Sequence, residues 1–168
     1  MTPKKTIPEI LQLLADQDTQ KVKLAITDID GVLRGKIMSF EKFRSVIEGG
    51  LGFCDVVFGW DAGDQAYDNI DYTGWHSGYP DAKAVVDPNT FRQIPWENGM
   101  PFFLADFRDA NADSLAICPR SLLKSIRARA LKAGYSCSFS QEFEWFNFIN
   151  NTNELYASRF STLQPMTQ

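Results

Sequence analysis

An α+β fold is predicted by the order of three patterns along the chain: a capped amphipathic helix, a strand pair about an Asp-Gly turn, and a second capped helix followed by short strands. Its 168 residues suit one large domain, or one small domain with part of another. An apolar content of 44% with 13% aromatics excludes a disordered chain. A net charge of −4 argues against a general nucleic-acid binder, so no nucleic-acid partner is expected. No apolar run approaches the length of a membrane span, and no signal-peptide core is visible, so a membrane partner is not expected either. Three scattered cysteines (Cys54, Cys118, Cys137) are expected to be free buried thiols in a reducing cytosol, which places the protein in the cytoplasm.

Thr6-Ile7-Pro8-Glu9 has the form of a capping box with proline in the first turn, and Ile10, Leu11 and Leu14 supply an apolar stripe, so residues 8–16 are expected to be helical. Lys21 to Thr27 alternates, with Val22, Leu24 and Ile26 facing inward. Asp30-Gly31 marks a hairpin turn and Val32 to Met38 the returning strand. Ser39 can cap a helix that carries Phe40, Phe43, Val46 and Ile47 and stops at Gly49-Gly50. Phe53–Phe58, Ala82–Val86 and Phe102–Phe107 are expected strands. Residues 59–81 keep neither period and are rich in glycine, aromatics and acids, as functional loops often are. A new unit is expected near residue 113, with a helix after Cys118-Pro119-Arg120 ending at Gly134, then a strand over Ser140–Phe148.

That last strand carries the chemically sharpest pattern. Alternation would place Glu142, Glu144, Phe146 and Phe148 on one face, and two adjacent carboxylates there need a cation, for which a hard divalent ion is the natural candidate. Elsewhere, Asp28-Ile29-Asp30-Gly31-Val32 looks like the opening of a haloacid-dehalogenase-type phosphatase, with Asp28 as nucleophile and Asp30 as acid/base. Only about thirty residues separate it from Gly63-Asp64 and Asp68, too few for that fold's strands, so the hairpin turn is the preferred reading. His76 is the sole histidine, and both a substrate role and an exposed loop position stay open for it. Trp60, Asp61, Trp75 and Asp81 either cover a ligand, fill a subunit interface, or tether an Ω-loop.

Four segments together resemble the glutamine synthetase family, in particular its glutamine synthetase-like and γ-glutamylpolyamine synthetase-like branches. They are Thr27–Lys36 (TDIDGVLRGK), Gly78–Ala82 with Val86-Asp87-Pro88, Cys118–Leu123 (CPRSLL), and Gln141–Phe148 (QEFEWFNF). The last matches the family's E-x-E-[FW]-F and is the most specific. The resemblance implies an N-terminal helix over 1–19, a β-grasp domain (a mixed sheet with a helix) over 20–112, and the beginning of the catalytic domain over 113–168. It also implies ATP-dependent joining of ammonia or an amine to the γ-carboxylate of glutamate, in nitrogen metabolism, with ATP and Mg²⁺ or Mn²⁺ as cofactors. By analogy Glu142 and Glu144 are metal ligands, Asp61 is the ammonium-side catalytic aspartate of a loop that reaches a neighbouring subunit, and Trp75 is a substrate-binding residue. The partners implied are further copies of the chain or full-length family subunits. The family continues past Pro165-Met166-Thr167-Gln168 with further ligands, so the chain is expected to be truncated, to hold no ion tightly, and to be inactive alone. A stand-alone β-grasp assembly or regulatory module is the alternative.

Overall fold

The computed structural model describes residues 5–111 and 113–166; the polar Met1–Lys4 start and Thr167-Gln168 of the terminal motif lie outside them. Helix α1 (Ile7–Asp16) opens with the expected capping box: Glu9 Oε2 accepts from the Thr6 backbone N–H at 2.6 Å and from its hydroxyl at 2.7 Å. Ile10 and Leu14, four residues apart, are its buried positions. Strands β1 (Lys21–Thr27) and β2 (Leu33–Ser39) pair antiparallel about the Asp30-Gly31 turn, with Gly31 at φ +83°. Ser39 caps α2 (Phe40–Gly49) by accepting from Lys42 N, and Phe43, Val46 and Ile47 form its buried stripe. The next segment departs from expectation. Strand β3 covers only Leu51–Cys54, and Asp55–Phe58 winds into a 3₁₀ turn that buries Val57 and Phe58 on the core.

Strands β4 (Asp81–Ile94) and β5 (Met100–Arg108) complete a five-stranded sheet in the order β2-β1-β5-β4-β3. It is mixed: β1 runs parallel to β5, and the other pairs are antiparallel. Strand β4 is longer than the expected Ala82–Val86 because it survives Pro88 through a register shift between Asp87 and Arg92, the kind of irregularity at which a strand tolerates proline. The Thr90 hydroxyl bridges the gap, donating to Asp87 O at 2.6 Å and accepting from Leu104 N at 2.8 Å. Central strand β5 is buried on both faces. Phe103 meets Phe43 of α2 at 4.7 Å and stacks on Phe91 at 5.2 Å, so the core lies between this sheet and α1 and α2. A helix packed on a mixed sheet is the α+β class that the sequence predicts.

Helix α3 (Pro119–Lys132) follows, with Gly134 at φ +88° beyond its end. Its apolar side chains stay outside: Leu122, Leu123 and Ile126 are exposed. Polar contacts fix it instead. Arg120 donates to Asp87 at 2.9 Å and pairs with buried Asp106, and Lys124 reaches the same two carboxylates, at 2.7 Å to Asp87.

The chain divides into two compact units, one through Tyr135 and one from Ser136. In the second, residues 136–147 form no strand, a correction to the expected strand over Ser140–Phe148. No strand among the described residues pairs with the segment, and an unpaired strand leaves its backbone groups without ladder partners. Helix α4 (Thr152–Ala157), capped by Asn151 accepting from Glu154 N at 3.0 Å, follows this segment. A bridge between Phe148 and Pro165 ties the unit to itself. The cysteines are free as expected, but only Cys118 is buried: Cys54 is half-exposed and Cys137, in the unpacked segment, is exposed. No helix among the described residues is long and apolar enough to cross a membrane.

Candidate functional site

The acid- and aromatic-rich stretch between the 3₁₀ turn and β4 is more ordered than its composition suggests. Residues 59–67 form a small hairpin: Trp60 pairs with Ala66, Tyr67 N donates to Gly59 O at 2.8 Å, and Asp61 N donates to Gln65 O at 3.0 Å. Asp61 organises the tip by accepting from Gly63 N at 2.8 Å and Gln65 N at 2.9 Å, both through Oδ1. A Cβ at Gly59 would meet Ile70 Cδ1 at 2.4 Å and Thr73 Cγ2 at 2.6 Å, so any larger residue there would force those side chains to move. The second half of the loop is held by buried Thr73, whose hydroxyl donates to Asp55 at 2.5 Å, and by Ser77, which bonds Gly74 through both N–H and hydroxyl.

Arg34 of β2 connects this hairpin to the sheet. Its Nε donates to Asp28 Oδ2 at 2.8 Å, its Nη1 to Asp64 at 2.5 Å, and its Nη2 to the Asp61 carbonyl at 3.3 Å, while its Cζ lies 4.8 Å from the Trp60 ring centre. Hydrogen bonds to Asp28 outweigh desolvation and, with Asp64, push its pKa above the usual value. Asp28 is fully buried, and its other oxygen accepts from Asp30 N and Val32 N. With both oxygens engaged, it is the organiser of the β1–β2 turn, and the arrangement offers no free carboxylate for attack on phosphorus. Burial, then the charges of Asp30, Asp61 and Asp28, raise the Tyr67 phenol above its usual value.

The other expected site residues are placed as follows. Trp75 is 91% exposed and meets Tyr79 edge-on, at 5.5 Å. His76 is exposed, with Nε2 3.0 Å from the Asp71 carbonyl, a contact that needs the Nε2–H tautomer. Trp60 is half-buried against the core and tethers the loop, whereas Trp75 projects from it. Glu142 and Glu144 lie in the second unit on exposed, irregular chain, with Phe143, Trp145 and Phe146 exposed around them. Their carboxylates are the right donors for a hard divalent ion, but a hard ion takes six or so oxygens and no group of three His, Cys, Asp or Glu gathers among the described residues. These two residues therefore do not make a metal site by themselves. The sequence weighs Asp28 as a phosphatase nucleophile and Asp64 as part of a later acidic motif, but does not join either to Arg34; the one local signal for the cluster is the placement of Asp28 and Arg34 on opposite sides of one turn.

No family model matches the chain. Type-1 glutamine synthetase 2 of Dictyostelium discoideum is 49% identical over 146 residues, which are 87% of this chain and 28% of that protein. Glutamate–isopropylamine ligase of a Pseudomonas species is 30% identical over 165 residues, covering 97% of this chain and 36% of the relative. γ-Glutamylethanolamide synthetase GlnA4 of Streptomyces coelicolor is 28% identical, again over 36% of its length. The chain thus spans about a third of the length of these relatives, between 28% and 36%. Among solved structures, a GmaS–ADP complex matches with TM-score 0.55 over 79% of this chain and 26% of that one, and ligand-free GmaS with TM-score 0.56 over 76% and 27%, each at 23% identity, a likeness of fold. By sequence and by fold, the chain is a relative of the glutamine synthetases and glutamine synthetase-like ligases and corresponds to the N-terminal part of those proteins.

Proposed function

We propose that this chain forms the N-terminal, β-grasp portion, with the start of the catalytic domain from about residue 113, of a cytoplasmic, oligomeric ligase that uses ATP to join ammonia or an amine to the γ-carboxylate of glutamate. The observation that carries the reading is the 49% identity to a glutamine synthetase across 87% of the chain. The loop geometry supports it. Asp61 uses one carboxylate oxygen on its own turn, and among the described residues no hydrogen bond engages the other, which suits it to face a cationic amine. Trp75, exposed on the same loop, is suited to cover a substrate or a neighbouring subunit.

Glu142 and Glu144 are proposed to supply carboxylate oxygens to Mg²⁺ or Mn²⁺ together with ligands from outside the described residues. Exposed on irregular chain, they do not position an ion, and on this reading the 168 residues alone release no phosphate from ATP in the presence of glutamate and ammonium. Phosphate release by the purified chain tests this directly. Sustained glutamate-dependent release by the chain alone would overturn the inactive-alone reading.

A further inference from the structure

We propose that Arg34 is a positioning residue: oriented by the buried Asp28 carboxylate, its guanidinium fixes the 59–67 hairpin, and with it Trp60 and Asp61, against the β1–β2 turn. Three nitrogens of one planar group are used in three directions, to Asp28, to Asp64 and to the Asp61 carbonyl. An ammonium on a flexible stem cannot reproduce that fork. The ring of Trp60 lies beneath the same guanidinium, and its Nε1 is enclosed with no hydrogen-bond partner among the described residues. The indole is thus held by stacking and packing. Asp28 is itself immobilised, because it is fully buried and bonded to two backbone N–H groups of the turn. Orientation therefore passes from the sheet through Asp28 and Arg34 to the hairpin that presents Asp61.

The functional weight of this arrangement rests on the ligase reading, in which Asp61 faces the amine. The device itself is tested without turnover. Hydrogen exchange would be measured on the 168-residue chain as wild type, Arg34→Gln, Arg34→Lys and Asp64→Asn. Amides across 59–67 are expected to exchange at least tenfold faster in both Arg34 variants, and by a smaller factor in Asp64→Asn, while α2 and β5 keep their protection. If Arg34→Gln fails to fold, Arg34→Lys and Asp64→Asn, which leave Asp28 a cation, carry the test. Wild-type loop protection in Arg34→Lys would reduce the role to bare charge and overturn the proposal, as would unchanged protection in Arg34→Gln. A second readout is the Arg34 Nε–H resonance, which the Trp60 ring should shift upfield and Trp60→Leu should return toward its ordinary position. An unshifted wild-type signal overturns the stacked geometry. Failure of the ligase reading leaves both readouts untouched, so the two claims fail separately.

Discussion

Arg120, in the first turn of α3, donates to Asp87 Oδ2 at 2.9 Å, just where β4 breaks register. Burial alone would raise the Asp87 carboxyl, but hydrogen bonds from Lys124, Arg120 and Asn89 outweigh it and hold its pKa far below its usual value of 3.8. A depressed folded-state pKa gives stability that is full above the unfolded value and is lost as pH falls through the folded one. The chain should therefore lose stability progressively below about pH 4. Denaturant melts at stepped pH should show this acid limb, and Asp87→Asn should flatten it. An Asp87→Asn limb as steep as wild type would remove Asp87 from the account.

Asp28 offers a sharper stability test. Replacing it with alanine leaves Arg34 without its best-buried partner and strips acceptors from the Asp30 and Val32 N–H groups. A loss of about 3 kcal/mol is expected from breaking such a pair. Urea denaturation measures it, and a loss below about 1 kcal/mol would class the pair with ordinary surface ion pairs.

Gly50, which ends α2, sits at φ +77° and ψ −175°, a region closed to other residues. A Cβ there would also lie 2.7 Å from the Ala84 carbonyl oxygen. Gly50→Ala should cost roughly 1–3 kcal/mol. Gly31→Ala, also at positive φ but with open space around the added methyl, should cost less; urea denaturation of the two variants compares them.

Trp75 separates folding from function. At 91% exposure its replacement by alanine should change stability by no more than about 0.5 kcal/mol. If it contacts substrate or a neighbouring subunit as proposed, the same change should weaken glutamate-dependent turnover in an assembled ligase. Unaltered turnover would leave it a bystander.

Local patterns carried most of the first unit. The capping box at Thr6, the alternation of Val22, Leu24 and Ile26, and the Ser39 cap each depend on neighbours within a few residues, and each is found where the sequence places it. What escaped depends on distant partners. Strand β4 runs past Pro88 because Thr90 and β5 bridge the irregularity. The hairpin at 59–67 is tied through Asp64 to Arg34, thirty residues earlier. The segment at Glu142 shows the converse, since its alternation is sound but nothing among the described residues pairs with it. Of the candidate site, loop composition left Trp60, Asp61, Trp75 and Asp81 open, and only the family resemblance singled out Asp61 and Trp75; the Asp28–Arg34–Asp64 contacts join residues up to thirty apart, which no local pattern reveals.

The measurement closest to the central claim is complementation. The purified chain would be mixed with the separately produced remainder of its Dictyostelium relative, and ATP-, glutamate- and ammonium-dependent phosphate release would be followed. The account predicts release from the mixture, none from the chain alone, and a loss of at least tenfold with Asp61→Asn at unchanged co-elution. Co-elution of the two pieces without release, or full release with Asp61→Asn, would contradict it.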